Sequence, residues 1–557
     1  MAKYLEQPKF IFVVGGVMSS VGKGVTTASM ALNLQSHGFK VTAMKADPYI
    51  NVDAGTMNPT EHGEVFVTED GDETDQDIGN YERFIDEDIY SVNYMTTGRV
   101  YQSVIDKERN LYYKGKCVEV VPHIPQEIID RIDAAQAKSD ADITVIEIGG
   151  TVGEYQNILF LEAARMMKMQ RPDDVAFVLV SYLPIPSKVG EMKTKPTQTA
   201  VRQMNSVGLQ PNFIIGRSEK ALDKVRKEKL ALFGSVPVEH VISAPDADHV
   251  YRVPEIFEKQ QFAEKMLEQL KVKPRRVNLK KSRQEQFKKL LRTIDNAKKK
   301  DSIKIGVVGK YFATGDFVLA DSYLSVIEAL KHAAWDLSRN VELTWLDAEE
   351  YEKNPRKLKG LSKYDGIVVP GGFGTRGVEG IIKAIQYVRE NKIPYFGLCY
   401  GMQLASIEVA RNVAGIKGAH TVEVDSKPEH PVIIVNPYQK ENLQKNLYGG
   451  TLRLGAYDCK LKAGTKTAKA YGKKKVSERH RHRYEYNNEY MEQLESAGLM
   501  VTGINPQQNL VEIVELEDHP WFIGVQFHPE LLSRPLKAHS LFVGFMKASL
   551  DRQNTGK

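Results

Sequence analysis

Cysteine is scarce: the 557-residue chain holds three, Cys117, Cys399 and Cys459. Three thiols cannot build the disulfide framework of a small secreted domain, and a reducing cytosol is their simplest home. Long hydrophobic runs are also missing. The apolar stretch at residues 10–14 is too short to span a bilayer and runs into a polar loop. No signal peptide or membrane segment is expected, so the chain reads as a soluble cytoplasmic protein. Excess charge is slight as well: 76 Lys and Arg against 71 Asp and Glu give +5. Over this length that makes no case for nucleic acid, and a basic pocket for polyphosphate accounts for it equally well. What remains is a globular composition, 42% hydrophobic and 26% charged, in a chain too long for one core. Two or more domains are expected.

Residues 10–27, FIFVVGGVMSSVGKGVTT, organise the N-terminal half. Residues 10–14 predict a buried parallel strand. Two glycines follow, then small residues, then Gly22, Lys23 and Gly24, then a helix beginning near Val25. Glycines let backbone N–H groups turn inward and the helix dipole adds partial positive charge, so the turn suits an anion. Lys23 is placed to reach the outer phosphates of a nucleotide. The spelling departs from the standard phosphate loop: Val17 replaces its first glycine, and Gly24 replaces the metal-binding Ser or Thr. A plain strand–turn–helix is the alternative.

Further strands are expected at residues 41–46, 143–148 and 175–181. Residues 69–79, EDGDETDQDIG, hold Asp70, Asp72, Asp75 and Asp77. Alone they read as a solvated acidic turn; across from a phosphate loop they are hard oxygen ligands suited to Mg²⁺. Glu147 lies inside an apolar run, so it is paired, metal-bound or not in a strand. With Asp77 it makes a two-carboxylate Mg²⁺ site. After residue 181 come Lys193, Thr194, Lys195, Pro196, Thr197 and Gln198, whose cations and hydroxyls suit a second triphosphate. Alone, such a loop is ordinary surface.

At this point the resemblance is specific. GGVMSSVGKG, KADPYINVDAGTMNPTEHGEVFVTEDG, EIGGTVGE and KTKPTQ resemble the amidoligase domain of the CTP synthases over the first 265 residues. The resemblance implies a P-loop NTPase-like domain that aminates the uracil ring of UTP at C4, using ATP. It carries ATP binding onto Ser20, Val21, Gly22, Lys23, Gly24, Val25 and Asp77. Pyrimidine-nucleotide binding falls on Ser19, Lys45, Glu119, Glu154, Tyr155, Gln156, the residues Lys193 to Gln198, and Lys229.

Residues 271–302 are rich in Lys and Arg and read as an exposed linker, with a short basic helix near residues 284–292. Nucleic-acid binding there is disfavoured because aromatic residues for base stacking are nearly absent. From residue 303 a second α/β pattern begins, expected as a domain to residue 547 with a tail at 548–557; the first domain is 1–270. A strand at 365–370 ends in PGGFG. Another at 393–398 runs into Cys399, Tyr400, Gly401, Met402 and Gln403, and a third at 522–527 ends in His528, Pro529 and Glu530. A cysteine between a buried strand and a helix sits on a tight elbow, its thiol exposed and its pKa lowered by the helix N-terminus. His528 can serve as its base, with Glu530 orienting the imidazole, and residues 371–374 offer N–H groups to an oxyanion.

PGGFG, GLCYGMQ and QFHPE in this order resemble a class I glutamine amidotransferase, with Cys399, His528 and Glu530 as triad. Glutamine recognition then falls on Gly372, Tyr400, Gly401, Met402, Gln403, Glu423 and Arg483, the last within ERHRHRYE. Cys117 and Cys459 have no such company and read as structural. The fold expected is α/β, with two doubly wound parallel-sheet domains. The activity implied is phosphorylation of O4 of UTP by ATP, then displacement by ammonia released from L-glutamine and kept unprotonated in a closed passage. GTP activation, CTP inhibition and a homotetramer, with filaments in some relatives, are family properties the residues do not themselves display.

The departures from the family fall around the pyrimidine. Glu119 replaces a glutamine associated with the UTP base, and Glu154 and Gln156 replace an aspartate and a glutamate associated with CTP feedback. The segment that begins at Gly309, Lys310 and Tyr311 and continues through Ala313, Thr314, Gly315, Asp316 and Phe317 is longer than usual. Two alternatives stand beside UTP amination: a paralogue that aminates another pyrimidine nucleotide, and a catalytically weak assembly or regulatory relative.

Overall fold

The computed structural model describes residues 5, 7–188, 190–275, 282–310, 313–314, 317–318, 320–436 and 452–556. The chain forms two units: Met1–Ala54 with Thr74–Leu291, and Gly55–Glu73 with Arg292–Lys557.

The first unit is built on seven strands, β1 (Lys9–Gly16), β2 (Val41–Asp47), β3 (Tyr94–Thr96), β4 (Ile143–Ile148), β5 (Val175–Tyr182), β6 (Phe213–Ser218) and β7 (Val241–Pro245). They lie in the order β3-β2-β4-β1-β5-β6-β7, and every adjacent pair is parallel. Sheets of this kind carry helices on both faces, which is why β1, β2, β4 and β5 read as nearly unbroken apolar runs. All four are buried almost throughout. Parallel strands end at one edge of the sheet, and open α/β sheets bind ligands there. That edge receives the turn into helix α1 (Lys23–Ser36), Asp47 at the end of β2, Glu147 near the end of β4, and the segment after β5. Register places Glu147 between Val13 of β1 and Lys45 of β2.

The second unit carries a nine-stranded sheet: β8 (Ile303–Gly309), β9 (Val341–Asp347), β10 (Gly366–Val369), β11 (Tyr395–Leu398), β12 (Arg453–Leu461), β13 (Lys475–His482), β14 (Leu499–Ile504), β15 (Val511–Leu516) and β16 (Phe522–Val525). The order is β9-β8-β10-β11-β16-β15-β14-β12-β13. The five strands from β9 to β16 are parallel, as expected, while the four from β15 to β13 extend the sheet antiparallel. The extension has a local cause. The β14–β15 and β15–β16 connections run from residue 504 to 511 and from 516 to 522, long enough for a reversal but too short for a helical crossover. Strand alternation serves both faces of this sheet. Tyr395 stacks on Phe522 at 4.6 Å on one side, and Phe396 meets Phe542 edge-on at 5.1 Å on the other.

Three readings of the chain's organisation need correction. The segment Gly55–Glu73 lies within the first half of the sequence but packs in the second unit. Ala456 N–H donates to the Glu69 carbonyl, Arg479 to Glu69 and to the Val67 carbonyl, and Arg481 to Glu73 at 2.7 Å. The basic stretch is not an exposed linker throughout. Helix α2 (Arg283–Ala297) buries Phe287, Leu290, Leu291, Ile294 and Ala297 along one stripe, and its lysines occupy the other side. The pattern was legible, but the density of charge hid it. Nor is there a separate tail: helix Ser540–Asn554 runs through it, and Gln553 donates to the Ser302 carbonyl and Asp365. Tyr311, Gly315 and Asp316 lie outside the described residues, as do residues 276–281 of the basic stretch.

Phe287 packs against Phe84 and Tyr251 with ring centroids 6.1 and 6.3 Å away. Phe287→Ala should therefore destabilise the first unit by about 3 kcal/mol or more, while Lys289→Ala should change little. Denaturant melts of the two variants, followed by aromatic fluorescence, check this; equal stability would restore the exposed-linker reading.

Candidate active sites

In the first unit the turn after β1 is held by backbone conformation. Gly22 has φ +85° and caps α1, and Val17 and Ser20 also have positive φ, at 81° and 57°. A β-branched residue in this region is strained. Lys23 folds inward and donates to the Gly150 carbonyl at 2.8 Å, in space that a Cβ on Gly15 would fill. The glycine at position 24 has a steric reason. A Cβ there would lie 1.8 Å from Asp77 Oδ1, so the loop gives up the usual hydroxyl and seats a carboxylate.

Asp77 lies in the first turn of helix Gln76–Ile85, whose cap, Asp75, accepts from the Asp77 N–H at 2.8 Å. Lys45 is buried at the centre of the cluster. Its Nζ donates to Asp77 Oδ2 at 2.5 Å and Glu147 Oε1 at 2.8 Å, with Asp47 and Asp75 at 3.8 and 3.9 Å. The Tyr81 hydroxyl donates to the other oxygen of Glu147. Burial alone would lower the Lys45 pKa, but the four carboxylates reverse this and raise it well above its usual value. The carboxylates respond unequally. Burial would raise Asp77, yet Lys45 holds it below its ordinary range. Burial raises Glu147, and it pushes Asp47 to about 6 and Asp75 to about 8.

Four carboxylates thus face two lysines, and Asp47 Oδ2 is buried without a hydrogen-bond partner among the described residues. The deficit of positive charge and the all-oxygen donor set fit a hard divalent cation. Asp77 and Glu147, which both accept from Lys45 Nζ, are the two carboxylates that could hold it.

The residues expected to bind a second nucleotide divide in two. Thr194 stands at the N-terminus of helix Lys195–Ser206, with Pro196 in its first turn. Gln198 donates to the Thr194 hydroxyl, and buried Thr197 accepts from Ser181 at the end of β5. Lys193 pairs with Glu191 at 2.8 Å, and Lys195 is exposed. These residues reach the same sheet edge as Lys23. Ser19, Glu119, Tyr155, Gln156 and Lys229 are exposed, Tyr155 at 94%. Glu119 precedes helix Val120–Ser139, and its backbone N–H donates to His123 Nδ1. The Thr151 hydroxyl donates to Glu154.

In the second unit a cavity of about 400 Å³ is lined by Cys399, His528, Glu530, Gly372, Gln403, Glu423 and Arg483, among others. Cys399 sits between β11 and helix α3 (Tyr400–Asn412) with φ 49° and ψ −96°. The elbow needs small neighbours: a Cβ on Gly401 would meet the Val369 carbonyl at 2.4 Å. Tyr400, Gly401 and Met402 are buried and do not line the cavity. His528 Nδ1 and Glu530 Oε1 are 2.6 Å apart. Burial would lower the His528 pKa, but Glu530 and then Cys399 raise it well above its usual value. Residues 371–374 approach the imidazole closely, since a Cβ on Gly371 would lie 2.7 Å from His528 Cε1. Gly374 N–H is committed to Glu423 at 2.8 Å, so only the earlier amides of that loop can serve an oxyanion.

Several participants escaped sequence reasoning. Gln526 donates to Cys399 Sγ at 3.7 Å and accepts from Gln403 at 3.2 Å; it lies in QFHPE and could have been found there. Gly55, Glu64 and Val65 line the cavity, and Glu64 accepts from Ser325 N–H and hydroxyl. Their distance in sequence left no local signal, and the same holds for Tyr81.

Comparison with known proteins also finds two family patterns in the chain. The family pattern of the CTP synthase N-terminus matches residues 9–272, and that of class-I glutamine amidotransferases matches residues 318–548. A CTP synthase of Listeria monocytogenes is 47% identical over 98% of this chain and 100% of its own length. One from Carboxydothermus hydrogenoformans is 49% identical over 97% of this chain and 98% of its own. Among solved structures, the glutaminase domain of Trypanosoma brucei CTPS with bound acivicin is 36% identical, covering 45% of this chain and 94% of that one, with a TM-score of 0.42. Near-half identity across the full length of both sequences, with both domain patterns present in order, shows that the chain belongs to the CTP synthase family.

Proposed function

We infer that this protein aminates UTP to CTP with ATP and ammonia drawn from L-glutamine. One observation carries the reading: a single chain pairs a buried lysine–carboxylate pocket behind a glycine-rich turn with a Cys399–His528–Glu530 set, each in its own α/β unit. No helix among the described residues is long and apolar enough to cross a membrane.

The turn of residues 15–24 receives the ATP phosphates, with the first amides of α1 as donors. Lys23 leaves the Gly150 carbonyl to stabilise charge on the γ-phosphoryl group as it moves to O4 of UTP. Mg²⁺ held by Asp77 and Glu147 supplies neutralisation of phosphate charge when bound. The residues Lys193 to Gln198 hold the pyrimidine triphosphate. In the second unit the Cys399 sulfur attacks the glutamine side-chain carbonyl carbon. His528 gives a proton to the departing nitrogen, which leaves as ammonia, and then takes one from the water that cleaves the thioester. Glu530 holds the imidazole and stabilises its charged form. Gln403, Glu423 and Arg483 hold the substrate. Ammonia displaces phosphate at C4. The proposal extends to a homotetramer in the cytoplasm, with GTP as activator. Exposed apolar side chains on the first unit, among them Leu111, Tyr112, Val120 and Tyr155, offer a surface for assembly.

Three outcomes test this. Cys399→Ala should abolish glutamine-dependent CTP formation and leave the ammonium-supported reaction intact; equal loss with both donors would show that the two sites are wrongly divided. Lys23→Ala should lower turnover with either donor by about a hundredfold. Gly24→Ser, which restores the common phosphate-loop spelling, should be as damaging because the side chain displaces Asp77. Near-normal ammonium-supported rates in either variant would place ATP elsewhere. The third outcome concerns Gln156, where a neutral amide replaces the family's carboxylate. That substitution weakens a charge-assisted hydrogen bond by about 1 kcal/mol, or several-fold in affinity. CTP titration of the Glu154→Asp, Gln156→Glu enzyme should show tighter inhibition than the natural chain, and an unmoved curve counts against a feedback role for this pair.

A further inference from the structure

Lys310 begins the segment whose length stood out in the sequence, and the chemistry above does not use it. It is 7% exposed, and its Nζ donates to three oxygens: the Gly374 carbonyl at 2.6 Å, the Phe373 carbonyl at 3.3 Å and the Tyr400 hydroxyl at 3.3 Å. The Tyr400 ring centroid is 4.4 Å from Nζ, and the Tyr400 hydroxyl itself donates to the Gly374 carbonyl at 2.9 Å. The opposite side of the same residue is held by Glu423, which accepts from Gly374 N–H at 2.8 Å. An ammonium has three N–H donors, and here it meets three acceptors. A carboxylate and a cation therefore grip the end of the 371–374 loop, whose start lies against His528.

We propose that Lys310 is a positioning residue of the glutaminase site: its ammonium latches the 371–374 loop so that the earlier amides of the loop stay aimed at the oxyanion formed over Cys399. The proposal rests on the glutaminase reading above. It also gives the site a pH dependence. Burial lowers the Lys310 pKa to about 8; Glu423 and Glu352 oppose the shift and Arg376 adds to it. Arg376 donates to the Lys310 carbonyl and pairs with Glu349 at 2.8 Å, so its charge is partly balanced. A neutral amine keeps two donors and turns a lone pair toward the third oxygen. The latch is whole below about pH 8 and opens above it, because the form that holds the loop is the protonated one.

The experiment measures glutaminase kcat and KM across pH for the wild type, Lys310→Met and Lys310→Arg, with ammonium-supported CTP formation in parallel. Lys310→Met should lose about tenfold or more in kcat/KM, mostly in kcat, since the loop acts on the transition state. Its alkaline limb near pH 8 should vanish, whereas in Lys310→Arg the limb should move upward, because guanidinium stays charged. Ammonium-supported CTP formation should be unchanged in both. A Lys310→Met enzyme with wild-type kcat/KM, or with the limb in place, overturns the proposal. Should that variant not fold, Lys310→Arg decides: a limb left at the wild-type pH overturns it, since His528 would then be its source. Absence of all glutaminase activity in the wild type would instead refute the parent reading.

Discussion

The ammonium of Lys45, buried among four carboxylates, is the constraint on which the nucleotide side of this protein depends. Removing a charge from water costs several kcal/mol, and only close partners offset that cost. Lys45 has them in Asp77, Glu147, Asp47 and Asp75, but they outnumber the cations around them. Burial first, and the neighbouring carboxylates after it, raise Asp75 and Asp47, and among the described residues one oxygen of Asp47 has no hydrogen-bond partner. Parallel strand ends gather these residues, and the bare Cα of Gly24 lets Asp77 approach the turn.

The second unit's cavity solves a different problem. Cys399 is on an elbow held by small residues, and Glu530, 2.6 Å from the His528 imidazole, favours its charged form and raises its pKa well above the usual value. The loop that faces them is gripped at Gly374 by Glu423 on one side and Lys310 on the other. Arg479 and Arg481, on one strand of the second unit, take up the carboxylates and carbonyls of residues 55–73, and so bring Gly55, Glu64 and Val65 to the cavity wall. The basic motif ERHRHRYE thus has a division of labour: alternate residues fasten this segment while Arg483 faces the cavity.

Much was legible in the sequence because the relevant signals are local. A buried parallel strand must be apolar throughout, so β1, β4 and β5 announced themselves, and a glycine-rich turn after one of them implied an anion. Cys399 before a helix, and His528 two residues from Glu530, carry their geometry in their spacing. Charge at residues 69–79 and a lone glutamate in β4 pointed to one cluster, and Asp77 and Glu147 do meet there, on the ammonium of Lys45. What depended on contacts between distant residues could not be read locally. The span Gly55–Glu73 belongs to the second unit because arginines some 400 positions away hold it. The helix of residues 283–297 looked like solvated linker until its apolar stripe found a partner in Phe84 and Tyr251. Lys310 became more than a lysine after a strand only when folding set three oxygens around its ammonium. Sequence determines which residues can carry the chemistry, since strand, turn and elbow are short-range matters of sterics and polarity. Tertiary structure decides which of them are charged and what they grip, because burial and neighbouring charge exist only once the chain has closed around them.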